Sequence, residues 1–359
     1  MPRVDRLLMG PGPVDVYPEA LVAAAQPMIG HLDPAFLAIL DETSDRLRTV
    51  LGTANALTFP ISGTGSAGMQ AAFVNWVKPG DAVVIGVNGV FGNRMCEVAK
   101  RLGADVIRVD HAWGEPVDAD RVLSAHPDPA MIGVVHAETS TGVRSDIAAI
   151  GAGKGDALLV MDCVTSVGGI PVDVDAWGVD IAYSGTQKCI GAPPGLAPFT
   201  ANARAIDRML DRPSSWYLDL NLIAAYVTDG GSGRAYHHTA PINEVRALHA
   251  ALGAILDEGL DAVHARHAAC GEALASGLAE RGFRPFAAEG YRLPHLATVY
   301  LPEGLEDGPA RAKLLEDYGI EVGGGLGEVA GKIWRVSAMG NSARMPNVHR
   351  FLASLDAVA

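Results

Sequence analysis

The sequence predicts an α/β fold in which a large domain with a mostly parallel, seven-stranded sheet precedes a smaller α+β domain. Three observations on the 359-residue chain carry this expectation. Seven short apolar runs between residues 57 and 200 lack the polar alternation of a half-solvated strand. Helical patterns separate the earlier runs, as they do where strands are buried on both faces of a sheet. After Pro241 the texture changes, and two long helical patterns introduce a second strand–helix alternation.

In chain order, the arm of residues 1–17 holds Gly10-Pro-Gly-Pro13 and reads as an extended segment that needs another surface to pack on. The large domain is assigned to residues 18–258. Its strand candidates are Leu57–Ile61, Ala82–Val87, Asp105–Val109, Met131–His136, Ala157–Asp162, Val179–Tyr183 and Leu196–Thr200. Helical patterns cover Ser66–Val77, Arg94–Leu102 and Ala119–Ala125. The last three strands follow one another with little helix between them, which predicts some antiparallel or long-crossover pairing. Helices are then expected over Ile242–Leu256 and Asp261–Glu280, with Gly259 between them opening a small domain of residues 259–359. That domain should add strand His295–Leu301, helix Pro309–Tyr318, strand Ile333–Ser337 and helix Asn347–Val358. Gly323-Gly-Gly325 reads as a turn.

The composition is 49% hydrophobic and 19% charged, enough for a large core. A formal charge of -13 without any Lys/Arg-rich run argues against nucleic acid and against anionic membrane surfaces as partners. Cys96, Cys163, Cys189 and Cys270 form no C-x-x-C pair, so reduced thiols in a cytoplasmic protein are expected. The N-terminus lacks the apolar stretch of a signal peptide, and no run reaches membrane-spanning length.

Two residues at strand ends carry the chemistry. Asp162 closes Ala157-Leu-Leu-Val-Met-Asp162, and Lys188 ends Tyr183-Ser-Gly-Thr-Gln-Lys188, after which no charge occurs before Arg204. A pyridoxal phosphate enzyme needs such a pair: an amine to form a Schiff base with the cofactor aldehyde, and a carboxylate to keep the pyridine nitrogen protonated. Two solvated loop residues would look the same in sequence. Gly63-Thr-Gly-Ser-Ala-Gly68 matches G-x-G-x-x-G between a strand and a helix, the setting of a nicotinamide dinucleotide fingerprint. The acidic residue that would grip a ribose is missing, because the next strand ends in Gly86-Val-Asn88. Glycines at a helix start still offer N–H groups to one phosphate, with Thr64 and Ser66 adding hydroxyls. His136-Ala-Glu138 lacks the C-x-x-C that would complete a zinc deaminase site, and no H-E-x-x-H occurs. The adjacent His237 and His238 are expected to point apart.

In order along the chain stand Gly10-Pro-Gly-Pro13, Gly30-His-Leu-Asp-Pro34, Ser62-Gly-Thr-Gly-Ser-Ala67, Val87-Asn-Gly-Val-Phe-Gly92 and Glu138-Thr-Ser-Thr-Gly142. They are followed by Ser184-Gly-Thr-Gln-Lys188, Ala192-Pro-Pro-Gly195, Tyr236-His-His-Thr239 and Lys332-Ile-Trp-Arg335. With these motifs the chain resembles the class V aminotransferases of fold type I, in particular their alanine–glyoxylate and serine–glyoxylate (serine–pyruvate) branch. The resemblance implies pyridoxal 5'-phosphate on Lys188, with Asp162 at the ring nitrogen and Phe91 stacked on the ring. Thr64, Gly65, Ser66 and Gln187 would surround the phosphate, and Thr139 would lie near the ring hydroxyl. Tyr236 and Thr239 would complete the phosphate cup from the second subunit of a homodimer. Arg335 and Gly12 would meet the substrate, Arg335 through its carboxylate. Some relatives have tryptophan where Phe91 stands and histidine where Ser66 stands. The implied reaction is transamination between alanine or serine and glyoxylate or pyruvate. Pyridoxamine–pyruvate and ureidoglycine–glyoxylate exchange are the alternatives within the family, and a nicotinamide dehydrogenase using Gly63–Gly68 is the alternative outside it.

Overall fold

The computed structural model describes residues 5–228 and 233–358. The first four residues of the expected arm, residues 229–232 of the expected large domain and residue 359 of the small one lie outside the described residues. The central sheet has seven strands in the spatial order Leu57–Ser62, Leu196–Ala201, Ile181–Tyr183, Leu158–Asp162, Met131–Val135, Ala82–Val87, Asp105–Asp110. All neighbours are parallel except Leu196–Ala201, which runs antiparallel to both strands beside it. This is the mixed pairing expected of the last strands. Burial follows position: every residue of Met131–Val135 and Leu158–Asp162 is buried, whereas the edge strand Asp105–Asp110 is largely open. Pro60 and Pro198 face each other across one pair, and Pro198 lies just beyond Tyr183, the last partner on its other side. Neither proline therefore breaks a ladder bond that the sheet needs.

Asp180 is buried where Leu158–Asp162 and Ile181–Tyr183 begin and Leu196–Ala201 ends. Burial alone would raise its pKa, but hydrogen bonds from Arg204, Lys154, the Leu159 N–H and Asn202 outweigh that and hold it down at about 2.

Helices Pro18–Ala24 and Pro34–Leu51, absent from the expected elements, pack on Ile242–Glu258. The second opens with Asp33 accepting from the Ala35 N–H and closes at Gly52 in the left-handed region. Beyond Gly259 lies a four-stranded antiparallel sheet, Arg284–Pro285, Leu296–Tyr300, Ile333–Ser337 and Gly323–Gly324, backed by Leu260–Glu280 and Met345–Leu355. Gly323 and Gly324 are thus an edge strand and not the expected turn. A Cβ on Gly323 would lie 2.4 Å from Pro11, so glycine there admits the arm. The hydrophobic side chains form one large cluster from Tyr17 to Val263 and a second that joins Leu7 and Met9 to residues between Cys270 and Leu355. On that basis we propose the division of the chain at Gly259.

The arm packs on its own chain. Leu7–Leu8 pairs in parallel with Ile320–Glu321, and Ser337 N donates to the Met9 carbonyl at 2.7 Å. Beyond this, Val14 N reaches the Gln187 carbonyl at 3.2 Å.

Candidate active site

The functional side chains collect where the parallel strands end, the usual place for ligands in an open α/β sheet. Leu57–Ser62 delivers the chain to Thr64, the N-cap of helix Gly65–Val74. Thr64 makes no side-chain capping bond, so its hydroxyl and the N–H groups of Gly65 and Ser66 are available to an anion, while Ala67 N donates to the Thr64 carbonyl at 2.7 Å. A Cβ on Gly65 would meet Val164 at 3.1 Å, so the helix start sits directly on the loop after Asp162. A cavity of about 180 Å³ opens there, lined by Thr64, Gly65, Ser66, Met69, Phe91, Arg94, Asp162, Val164, Gln187 and Lys188. Seven of the residues expected to hold the cofactor line this one space: Thr64, Gly65, Ser66, Phe91, Asp162, Gln187 and Lys188.

Asp162 ends its strand fully enclosed and accepts the Val164 N–H at 2.9 Å. Burial pushes its carboxyl up to about 7, against that hydrogen bond and the nearby Tyr183 phenol. Lys188 is 7% exposed. Burial, helped by the Arg335 cation, brings its amine down to about 8, near the pH at which an amine can serve as a nucleophile and base. Its Nζ donates to the Pro11 carbonyl. Gly12, with φ of 112°, lies so close that a Cβ would sit 2.6 Å from Nζ. The arm therefore walls the amine.

Arg335 comes from strand Ile333–Ser337 and faces Gly323 in register. Its Nε donates to the Gly324 carbonyl at 2.8 Å and its Nη1 to the Thr139 carbonyl at 3.4 Å. Among the described residues, Nη2 has no protein acceptor. Burial brings the guanidinium down to about 10, opposed by Glu138. The Thr139 hydroxyl bonds the Thr165 hydroxyl.

Three residues escaped the sequence reading. Glu138 is fully buried; one oxygen accepts from Phe91 N at 3.0 Å and Gly92 N at 3.3 Å, the other from Ser140 N at 3.0 Å and Ser140 Oγ at 2.6 Å. It thereby fixes the start of helix Val90–Arg101 and the placement of Phe91. Its position after an apolar strand was the available signal. Val164 stands two residues past Asp162, in the turn where its N–H donates back to the Asp162 carboxylate. Arg94 stands three residues past Phe91, one helical turn along the same face.

Tyr236 and Thr239 do not line the cavity. Tyr236 is 59% exposed, its hydroxyl 3.4 Å from that of Thr239 and its ring 5.0 Å from that of His31. His237 and His238 do not point apart: their Nδ1 atoms are 2.7 Å from each other. They bridge the Trp216 carbonyl, 3.1 Å from His237 Nε2, to Ser62 Oγ, 2.7 Å from His238 Nε2. No metal-binding cluster occurs among the described residues. The side chain of Asn88, where a dinucleotide site would carry an acid, donates to the Glu115 carbonyl at 2.9 Å.

The cavity suits a phosphorylated pyridine. Gln187 Oε1 is buried without a partner, and its carboxamide can turn the NH₂ end to an anion. Among the described residues no cation lies within salt-bridge distance of the buried Asp162 carboxyl, and a protonated ring nitrogen would be such a cation.

Comparisons agree with this fit. The family model described as aminotransferase class-V matches residues 15–348. A solved alanine–glyoxylate aminotransferase from Nostoc sp. is 45% identical with a TM-score of 0.96, over 100% of this chain and 96% of that one. The (S)-ureidoglycine–glyoxylate transaminase of Bacillus subtilis (strain 168) is 36% identical, over 98% of this chain and 90% of its own length. The alanine–glyoxylate aminotransferase of Drosophila melanogaster is 34% identical, over 98% and 92% respectively. A buried lysine and carboxylate around an anion-binding helix start thus stand on the scaffold of known transaminases, and the chain belongs to the class V aminotransferases, fold type I enzymes that work with pyridoxal 5'-phosphate.

Proposed function

We propose that this aminotransferase moves an amino group between a small amino acid, alanine or serine, and a small 2-oxo acid, glyoxylate or pyruvate. The observation that carries the reading is the single buried guanidinium beside Lys188, that of Arg335, held by two backbone carbonyls with Nη2 left for one carboxylate. When bound, the cofactor supplies the electron sink that stabilises negative charge at the substrate carbon. Lys188 Nζ would take the proton from that carbon and deliver it to the cofactor carbon, as general base and then general acid. Asp162 would hold the proton on the ring nitrogen and Phe91 would cover the ring, while Gly12 and Pro11 wall the amine.

The test is an initial-rate panel pairing alanine, serine, glutamate, aspartate and (S)-ureidoglycine with glyoxylate, pyruvate and 2-oxoglutarate. Small neutral donors should exceed dicarboxylic ones by about 10- to 100-fold in kcat/KM, since a distal carboxylate would be desolvated without a partner. Fastest turnover with glutamate and 2-oxoglutarate would refute the small-substrate reading. Ureidoglycine–glyoxylate exchange is a second reading, favoured by the relative of that name at comparable identity; preference for ureidoglycine in the panel would select it.

We also propose a homodimer with shared sites. Leu21, Val22, Met28, Leu32, Trp216, Tyr217, Leu222 and Tyr236 are all exposed, an apolar surface that a monomer would have to solvate. It would bring Tyr236 and Thr239 of one subunit to the phosphate end of the other. Mixing Lys188→Ala chains with Tyr236→Ala/Thr239→Ala chains should restore activity, because a quarter to a half of the sites in mixed populations become native. Mixed dimers that regain nothing, or an active monomer in sedimentation, would end this proposal. The four cysteines are free and buried, and no helix among the described residues is long and apolar enough to cross a membrane. These features support a cytoplasmic location as our proposal, which cell fractionation checks.

A further inference from the structure

The phosphate end of the cavity poses a charge problem. A phosphate monoester carries between one and two negative charges near neutral pH. Thr64, Gly65, Ser66 and Gln187, which face it, are all uncharged, and a helix N-terminus contributes about half a positive charge. Of the two cationic side chains lining the cavity, Lys188 is held at the Pro11 carbonyl. The other is Arg94. Its guanidinium carbon lies 4.8 Å from the centroid of the Phe91 ring, and its Nη1 donates to Ser66 Oγ at 3.1 Å. Among the described residues it has no carboxylate partner within salt-bridge distance, unlike Arg101 on the same helix, which pairs with Glu97 at 2.6 Å.

We propose that Arg94 is a binding residue for the cofactor phosphate, the cation that this chain brings to the anion in concert with Ser66. The geometry does two things. Its position over the Phe91 ring and its bond to Ser66 hold the guanidinium at the cavity wall, so less side-chain freedom is lost when an anion arrives. The bond to Ser66 Oγ occupies a lone pair of that hydroxyl and leaves its own O–H to donate into the cavity. Arg94 and Ser66 together thus present a charge and a directed donor, where a lone serine would present only the latter. The proposal rests on the cavity being the cofactor site and adds a residue to it.

The test compares the affinities of pyridoxal 5'-phosphate and of unphosphorylated pyridoxal for the full chain stripped of cofactor, followed by the absorbance of the bound compound. Wild type, Arg94→Gln and Arg94→Lys are titrated at two salt concentrations. Arg94→Gln should weaken the phosphorylated compound about tenfold and leave pyridoxal unchanged, since a hydrogen bond between charged groups is lost at a partly open site. Arg94→Lys should recover part of the loss, and Arg94→Gln should lessen the dependence of affinity on salt. Equal weakening of both compounds would show a merely structural role and overturn the proposal. So would affinity for the phosphorylated compound within twofold of wild type, or an effect seen only in the KM of dicarboxylic substrates. Wild-type protein that bound neither compound would instead overturn the cofactor assignment, a result separate from any effect of Arg94.

Discussion

Replacing Lys188 by alanine should reduce turnover by at least about 10⁴-fold while the chain stays folded. Proton transfer by a placed side chain is alone worth roughly 10²–10⁴-fold, and the same Nζ also carries the covalent link to the cofactor. No nearby group can substitute. No second lysine lines the cavity, and an arginine guanidinium offers donors and no acceptor. Borohydride treatment of the yellow wild-type protein should bleach it and leave a pyridoxyl group on Lys188, found by peptide mapping. A label on Lys78, Lys100, Lys154, Lys313 or Lys332, or a Lys188→Ala variant within tenfold of wild type, would remove Lys188 from the role.

Asp162→Asn should separate binding from chemistry. Asparagine can still accept the Val164 N–H, so the loop should hold, but a neutral amide cannot keep a ring nitrogen protonated, and most turnover should vanish. The protein stripped of cofactor should reveal the cost of the carboxylate. Its folded pKa, raised by burial to about 7, exceeds the value of about 3.9 expected unfolded. Between those values the folded state holds a proton that the unfolded state has released, so stability is greatest at low pH and falls as pH rises through 7. At 1.36 kcal/mol per pKa unit the loss amounts to as much as about 4 kcal/mol. Stripped Asp162→Asn protein should escape this loss and outlast stripped wild type in urea at pH 8, with the gap closing toward pH 4. With cofactor restored, the wild-type carboxylate gains its cationic partner and the order should reverse. Equal pH profiles for the two stripped proteins would show that Asp162 is not the strained group described here.

What could be read in the sequence divides along physical lines. Ala82–Val87 and Ile333–Ser337 match the expected strands residue for residue, because an apolar run bounded by turns is a local signal. Gly323–Gly324 escaped because glycine carries no side-chain pattern, and only the partner strand and Pro11 make it a strand. Helix Pro34–Leu51 was not among the expected elements, although Asp33 and Gly52 mark both its ends. The helical pattern expected from Arg94 begins at Val90 in the structure, and that difference hid Arg94: an arginine opening a helix has no turn of Phe91 beneath it. Lys188 and Asp162 were visible as residues, but their burial and the nearness of Arg335 depend on contacts between distant parts of the chain. Glu138 was legible only as part of a motif, and its four hydrogen bonds belong to the three-dimensional arrangement of the Phe91 helix.

The strand formed by Leu7–Leu8 has a consequence for the order in which the enzyme comes into being. Its partners are Ile320–Glu321, and Gly10 accepts a hydrogen bond from Ser337, 327 positions further along. On the ribosome residues 7–10 must therefore wait for residues 320–337 before they can settle. Only then can Pro11 and Gly12 close over Lys188. The large sheet can form while synthesis continues, as early parts of a chain generally do. The lysine pocket has to await the synthesis of residues 320–337, so reactive amine and cofactor are enclosed together only after that strand has been added.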